Sequence, residues 1–134
     1  MESACMISLG SMDTQSLIAL CKTGFGVRIF DEVANCLQVP DLRLADIIHI
    51  SKSTLTRRKR EGHFNFEASE RLYRIVRLFN LATSVLGTPG NAREWLHTPS
   101  VDFEGKSPFE YSDTEIGARE VEAVLYRISD GVIF

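Results

Sequence analysis

Ser51, Ser53, Thr56, Arg57 and Arg60 are the residues of this chain best suited to chemistry, and that chemistry is recognition of phosphates and base edges. A guanidinium offers a planar fork of donors that matches a phosphate or the O6/N7 edge of guanine, and a hydroxyl both donates and accepts. All five lie in one short stretch that ends in the run Arg57-Arg58-Lys59-Arg60. At about 100° per helical residue, a helix whose Leu55 points inward turns Ser53, Thr56, Arg57 and Arg60 outward and leaves Arg58 and Lys59 nearer the flanks. Backbone N–H groups at a helix start beside Ser51 add a second means of holding phosphate. The plainer reading is a solvated helix face with Glu61 and Glu67 as local partners; the sequence around the run favours nucleic-acid contact over it.

Bond-making chemistry finds little support. His49, His63 and His97 are isolated, no carboxylate pair or Cys–His arrangement is evident, and no glycine loop is shaped to cradle phosphate. Cys5, Cys21 and Cys36 are odd in number, fall in the first third and lack CxxC spacing. They read as small, buried, reduced residues, neither disulfides nor zinc ligands. The expectation is a protein that is not an enzyme, with no cofactor and no metal. Apolar runs fall far short of the roughly 20 residues that span a bilayer, and Glu2 with Asp13 spoils a targeting-peptide reading, so a cytoplasmic location is expected.

The elements that must position these residues are helical. A chain of 134 residues with 44% hydrophobic content buries one ordinary core or two very small ones. Leu17, Ile18, Leu20 and Cys21 fit a first helix stopping at Gly24; Phe30, Val33, Ala34 and Leu37 fit a second stopping before Pro40; Leu44 to Ile48 form a short third. From Glu67 to Leu86 the residues Ala68, Leu72, Ile75, Val76, Phe79, Thr83 and Leu86 mark one face, and Gly87 closes it. Two helices follow, one beginning at Ala92 to Leu96 and one carrying Val121, Val124, Leu125, Ile128 and Val132. No strand alternation is convincing, so the fold class is all-α. Thr88-Pro89-Gly90 is the natural joint, dividing a helix-turn-helix and dimerisation domain, 1–87, from a small helical module, 88–134.

Charge divides the chain too. From Arg43 to Arg77 nine basic residues face four acids, a balance of +5; from Thr88 onward four basic residues meet nine acids, a balance of −5. A basic middle and an acidic end imply two different partners. The basic middle, Leu44 to Arg58, has the features of a helix-turn-helix: small Ala45 at the helix crossing, Ile50 anchoring the turn, Ser51 as N-cap and Leu55 in the core. Its turn carries His49 where glycine is usual, which demands a positive φ.

The acidic end reads as a surface made to be covered. Trp95, the lone tryptophan, and Phe109 each bring roughly 150–250 Å² of apolar area, Pro99 and Pro108 stiffen the connection, Gly105 permits a turn and Gly117 a close helix approach. Ala92 to Pro99 is expected to dock the module onto the protein's own long helix. Arg119, Glu122 and Arg127 lie on the polar side of the last helix, where solvation competes with pairing to a partner. Gly131 breaks that helix, and Val132, Ile133 and Phe134 suit a plug entering a partner's pocket.

Together, Thr54-Leu55-Thr56-Arg57-Arg58-Lys59, Gly62, Glu67 to Arg71, Arg74, Ala82 and Leu86-Gly87 resemble the helix-turn-helix region of Xre-type antitoxins. The order Ala92, Trp95-Leu96, Pro99, Gly105, Pro108, Thr114, Gly117 and Gly131-Val132 resembles that family's MbcA/ParS/Xre toxin-binding domain, so that the likeness runs from about Leu42 to Ile133. Phe103, Tyr111-Ser112 and Asp130 depart from its usual pattern. The resemblance implies a non-enzymatic antitoxin that occludes the active site of a NAD-consuming RES-domain toxin with its C-terminal region, and the residues here expected to do so are Arg119, Glu122, Arg127 and Gly131 to Phe134. It also implies autorepression on operator DNA, as a homodimer within a toxin–antitoxin hetero-oligomer. The alternative is a free-standing helix-turn-helix transcriptional regulator whose C-terminal module only dimerises.

Overall fold

Eight α-helices and no strand make up the described residues, which in the computed structural model are 9 and 12–131. In chain order they are α1 (Thr14–Thr23), α2 (Val27–Leu37), α3 (Asp41–Ile47), α4 (Lys52–Glu61), α5 (Phe66–Leu86), α6 (Pro89–His97), α7 (Pro108–Tyr111) and α8 (Glu115–Ser129), with a 3-10 turn at Val101–Phe103 between α6 and α7. Packing divides the described residues into two compact units with the division between Val76 and Arg77, inside α5. Cys5 and the Val132, Ile133 and Phe134 tail lie outside the described residues.

The first unit is built around Phe25, Phe30, Val33, Leu37, Leu44, Ile48, Phe64 and Leu72, all fully buried. The apolar set chosen for the second helix, Phe30, Val33, Ala34 and Leu37, is buried in α2, together with Cys36. The first helix departs from expectation: Cys21 is its buried residue, while Ile18 is about half exposed. Cys21 and Cys36 are buried and neither forms a disulfide. Burial, then the nearby Glu70 carboxylate, pushes the Cys21 thiol pKa up.

A short irregular clasp holds the start of α2 against the end of α4. Val27 N–H donates to the Gly62 carbonyl at 3.1 Å, Phe64 N–H donates to the Phe25 carbonyl at 2.8 Å, and Phe25 N–H donates to the buried Ser69 hydroxyl at 2.8 Å. The Phe30 and Phe64 rings stack at 5.3 Å behind it. Gly24 makes the clasp possible: its φ is 104°, and a Cβ there would sit 2.1 Å from the Phe64 carbonyl oxygen.

The second unit buries Ala82, Ala92, Leu96, Phe103, Phe109, Ala118, Val121 and Leu125. Two elements in it escaped the periodicity reading, the 3-10 turn and α7, because a three- or four-residue helix has no period to detect. α7 is set instead by its caps. Ser107 accepts from Glu110 N–H while the Glu110 carboxylate accepts from Ser107 N–H, a reciprocal capping box, and Pro108 occupies the first turn. Gly117 is obligatory for a different reason from Gly24: a Cβ there would lie 1.9 Å from the Tyr111 carbonyl oxygen, so only glycine lets the first turn of α8 close on α7.

Candidate functional site

The turn between α3 and α4 carries the left-handed residue that the sequence demands. His49 adopts φ 61°, its N–H donates to the Asp46 carbonyl, and Ile50 N–H donates to the Ala45 carbonyl. Arg71 of α5 adds a donor to the Ile48 carbonyl at 3.4 Å. Ala45 and Leu55 are buried, Ile50 is half-buried, and Ser51 caps α4 by accepting from Thr54 N–H at 3.1 Å. These contacts fix where α4 points.

On α4 the four basic residues separate into two kinds. Arg57 and Arg60 are exposed, together with Ser51, Ser53 and Thr56. Arg58 pairs with Glu61 at 3.0 Å, and Lys59 pairs with Asp41 and, at 3.4 Å, with Asp31. The hydroxyls are also partly engaged: Ser51 and Ser53 lie 3.2 Å apart, and Thr56 donates to the Lys52 carbonyl at 3.0 Å. Each hydroxyl keeps acceptor capacity toward solvent. The outward face holds two guanidinium groups and three hydroxyls beside the N-terminal N–H groups of a ten-residue helix whose first turn has no acid. Its chemistry is that of an anion-binding face.

In the second unit, aromatic packing is internal. Trp95 meets Phe103 edge-on with centroids 6.3 Å apart, Phe103 lies 5.2 Å from Tyr111, and His97 meets Phe109 at 5.3 Å. The ring partner of Trp95 is thus the 3-10 turn of its own module. His97 falls in the last turn of α6.

The polar residues of α8 differ in their surroundings. Arg119, 75% exposed, pairs along the helix with Glu115 at 3.0 Å. Arg127 is exposed and donates to the Ala123 carbonyl at 3.4 Å. Glu122 is 18% exposed, and its carboxylate takes two bonds from Arg77, at 2.7 and 3.3 Å, which brace α8 against the last half of α5. Sequence reasoning missed Ile116 and Tyr126, 78% and 56% exposed on the same outer face as Arg119, Ala123 and Arg127. Helical spacing from buried Val121 and Leu125 points both outward, and that was signal enough to find them. Gly131 ends the helix with φ 75°.

Among the described residues no group of three or more His, Cys, Asp or Glu is placed to hold a metal, and no helix is long and apolar enough to cross a membrane.

Residues 16–77 match the antitoxin Xre-like helix-turn-helix domain, and residues 81–131 match the antitoxin Xre/MbcA/ParS C-terminal toxin-binding domain. The chain is similar to the protein named Antitoxin Xre of Yersinia enterocolitica, 33% identical over 118 residues that cover 87% of this chain and 80% of the relative. It is also similar to the proteins of that name in Photorhabdus laumondii, 28% identical over 87% of this chain and 80% of the relative, and in Pseudomonas putida, 32% identical over 57% of this chain and 48% of the relative.

Proposed function

Because the chain belongs to the Xre antitoxin family, with a helix-turn-helix and a toxin-binding domain, we propose that it neutralises a NAD-consuming RES-domain toxin by occluding its active site and represses its own operon. The observation that carries this reading is the match of residues 81–131 to a toxin-binding domain whose last helix leaves Ile116 and Tyr126 in solvent. Large apolar side chains that a fold leaves uncovered beside charged groups are the usual anchors of a protein interface. In this reading the module 88–134 meets the toxin through Ile116, Arg119, Tyr126 and Arg127, and its Gly131 to Phe134 end enters the toxin's pocket. Glu122 acts by holding α8 in place through Arg77.

The region 1–87 serves the second task. Arg57 and Arg60 contact phosphates or guanine edges, Ser51, Ser53 and Thr56 add hydrogen bonds, and a homodimer reads a palindromic operator in the cytoplasm. The protein acts by binding, without a cofactor or a catalytic step of its own.

Deleting residues 107–134 tests the two tasks together. The expected result is loss of protection against the co-expressed toxin with operator binding partly retained. Loss of dimerisation and operator binding together, with toxin protection never present in the intact chain, contradicts it and points to a free-standing regulator.

A further inference from the structure

Lys59 belongs to the basic run of α4 but not to its outward face. Its ammonium is half-buried between Asp41, the first residue of α3, and Asp31 of α2, and lies 5.5 Å from the centre of the Phe30 ring. A cation at the last turn of α4 and an acid at the first turn of α3 each suit the helix end they occupy. Three helices meet at this one side chain.

From this geometry we infer that Asp31 and Asp41 form a clamp that withholds Lys59 from DNA and uses it to set the pitch of α4 on its target, leaving Arg57 and Arg60 as the phosphate-contacting cations of the run. The inference rests on the DNA-binding reading above and deepens it. A clamped lysine contributes to discrimination between the operator and other sequences, because it fixes the orientation of α4. It contributes nothing to the release of counterions, because its charge is already neutralised within the protein. Releasing it adds a phosphate contact that carries no sequence information.

The test is the salt dependence of binding by the full chain to its own promoter fragment and to an unrelated duplex of equal length. Lys59→Gln is expected to leave the slope of log K against log[salt] unchanged while operator preference falls several-fold. Asp31→Asn/Asp41→Asn, in which Lys59 is released, is expected to steepen the slope by about 0.9 on both duplexes and to reduce operator preference. Thermal melts show whether each variant is folded, and Arg57→Ala, expected to lower the slope by about 0.9, calibrates the scale. A Lys59→Gln variant that loses as much slope as Arg57→Ala overturns the clamp but leaves the DNA reading intact. So does a clamp-release variant identical to the parent in slope and preference. An intact chain with no salt-dependent binding to either duplex overturns both.

Discussion

Arg57 and Arg60 differ from their neighbours Arg58 and Lys59 in what surrounds them. The first pair stands in solvent, while the second is held by Glu61, Asp31 and Asp41. Arg57→Ala and Arg60→Ala should each weaken operator binding and lower its salt slope by about 0.9, read by titration at several salt concentrations. The inward–outward division was legible in the sequence because it follows from helix pitch and one buried leucine. The partners of Lys59 were not, since Asp31 and Asp41 lie 28 and 18 residues away and only the packing of α2, α3 and α4 brings them near. The bond to Asp41, more than the opposing cost of burial, raises the pKa of Lys59 above 10.5. The sign follows: this pair stabilises the fold fully below pH 10.5 and is lost as pH climbs through the raised value, so Lys59→Gln should flatten the alkaline limb of a pH-dependent melting curve.

At the scale of elements, every helix of seven residues or more left a readable trace, and only the four-residue α7 and the 3-10 turn did not. The 66–86 and 115–129 segments carry enough turns for an apolar stripe to stand out, whereas α7 depends on a capping box and a proline. The bracing of α8 also escaped, because Glu122 and Arg77 are 45 residues apart. Leu55→Ala should cost about 2–5 kcal/mol in chemical denaturation and loosen α4, since the side chain is nearly fully buried. Gly117→Ala should cost about 1–3 kcal/mol, because its methyl group collides with the Tyr111 carbonyl where α8 approaches α7. If Gly117→Ala melts like the parent, that close approach is not what fixes α8.

For the whole molecule, a net charge of −3 conceals a basic middle and an acidic end, and the two family matches fall on these regions in the same order. The separate tasks predict separable variants. Ile116→Asp and Tyr126→Asp change exposed positions, so fold and operator binding should persist, while toxin affinity should fall by about 2 kcal/mol, or roughly 30-fold, at each site. The measurement that bears most directly on toxin neutralisation is NAD consumption by the purified partner toxin, titrated with the intact chain and with the Ile116→Asp/Tyr126→Asp chain. The intact chain should stop NAD loss near stoichiometric amounts, and the variant, folded and still bound to operator, should leave it running. Equal suppression by both chains would contradict the α8 docking face, and no suppression by the intact chain would contradict toxin neutralisation itself.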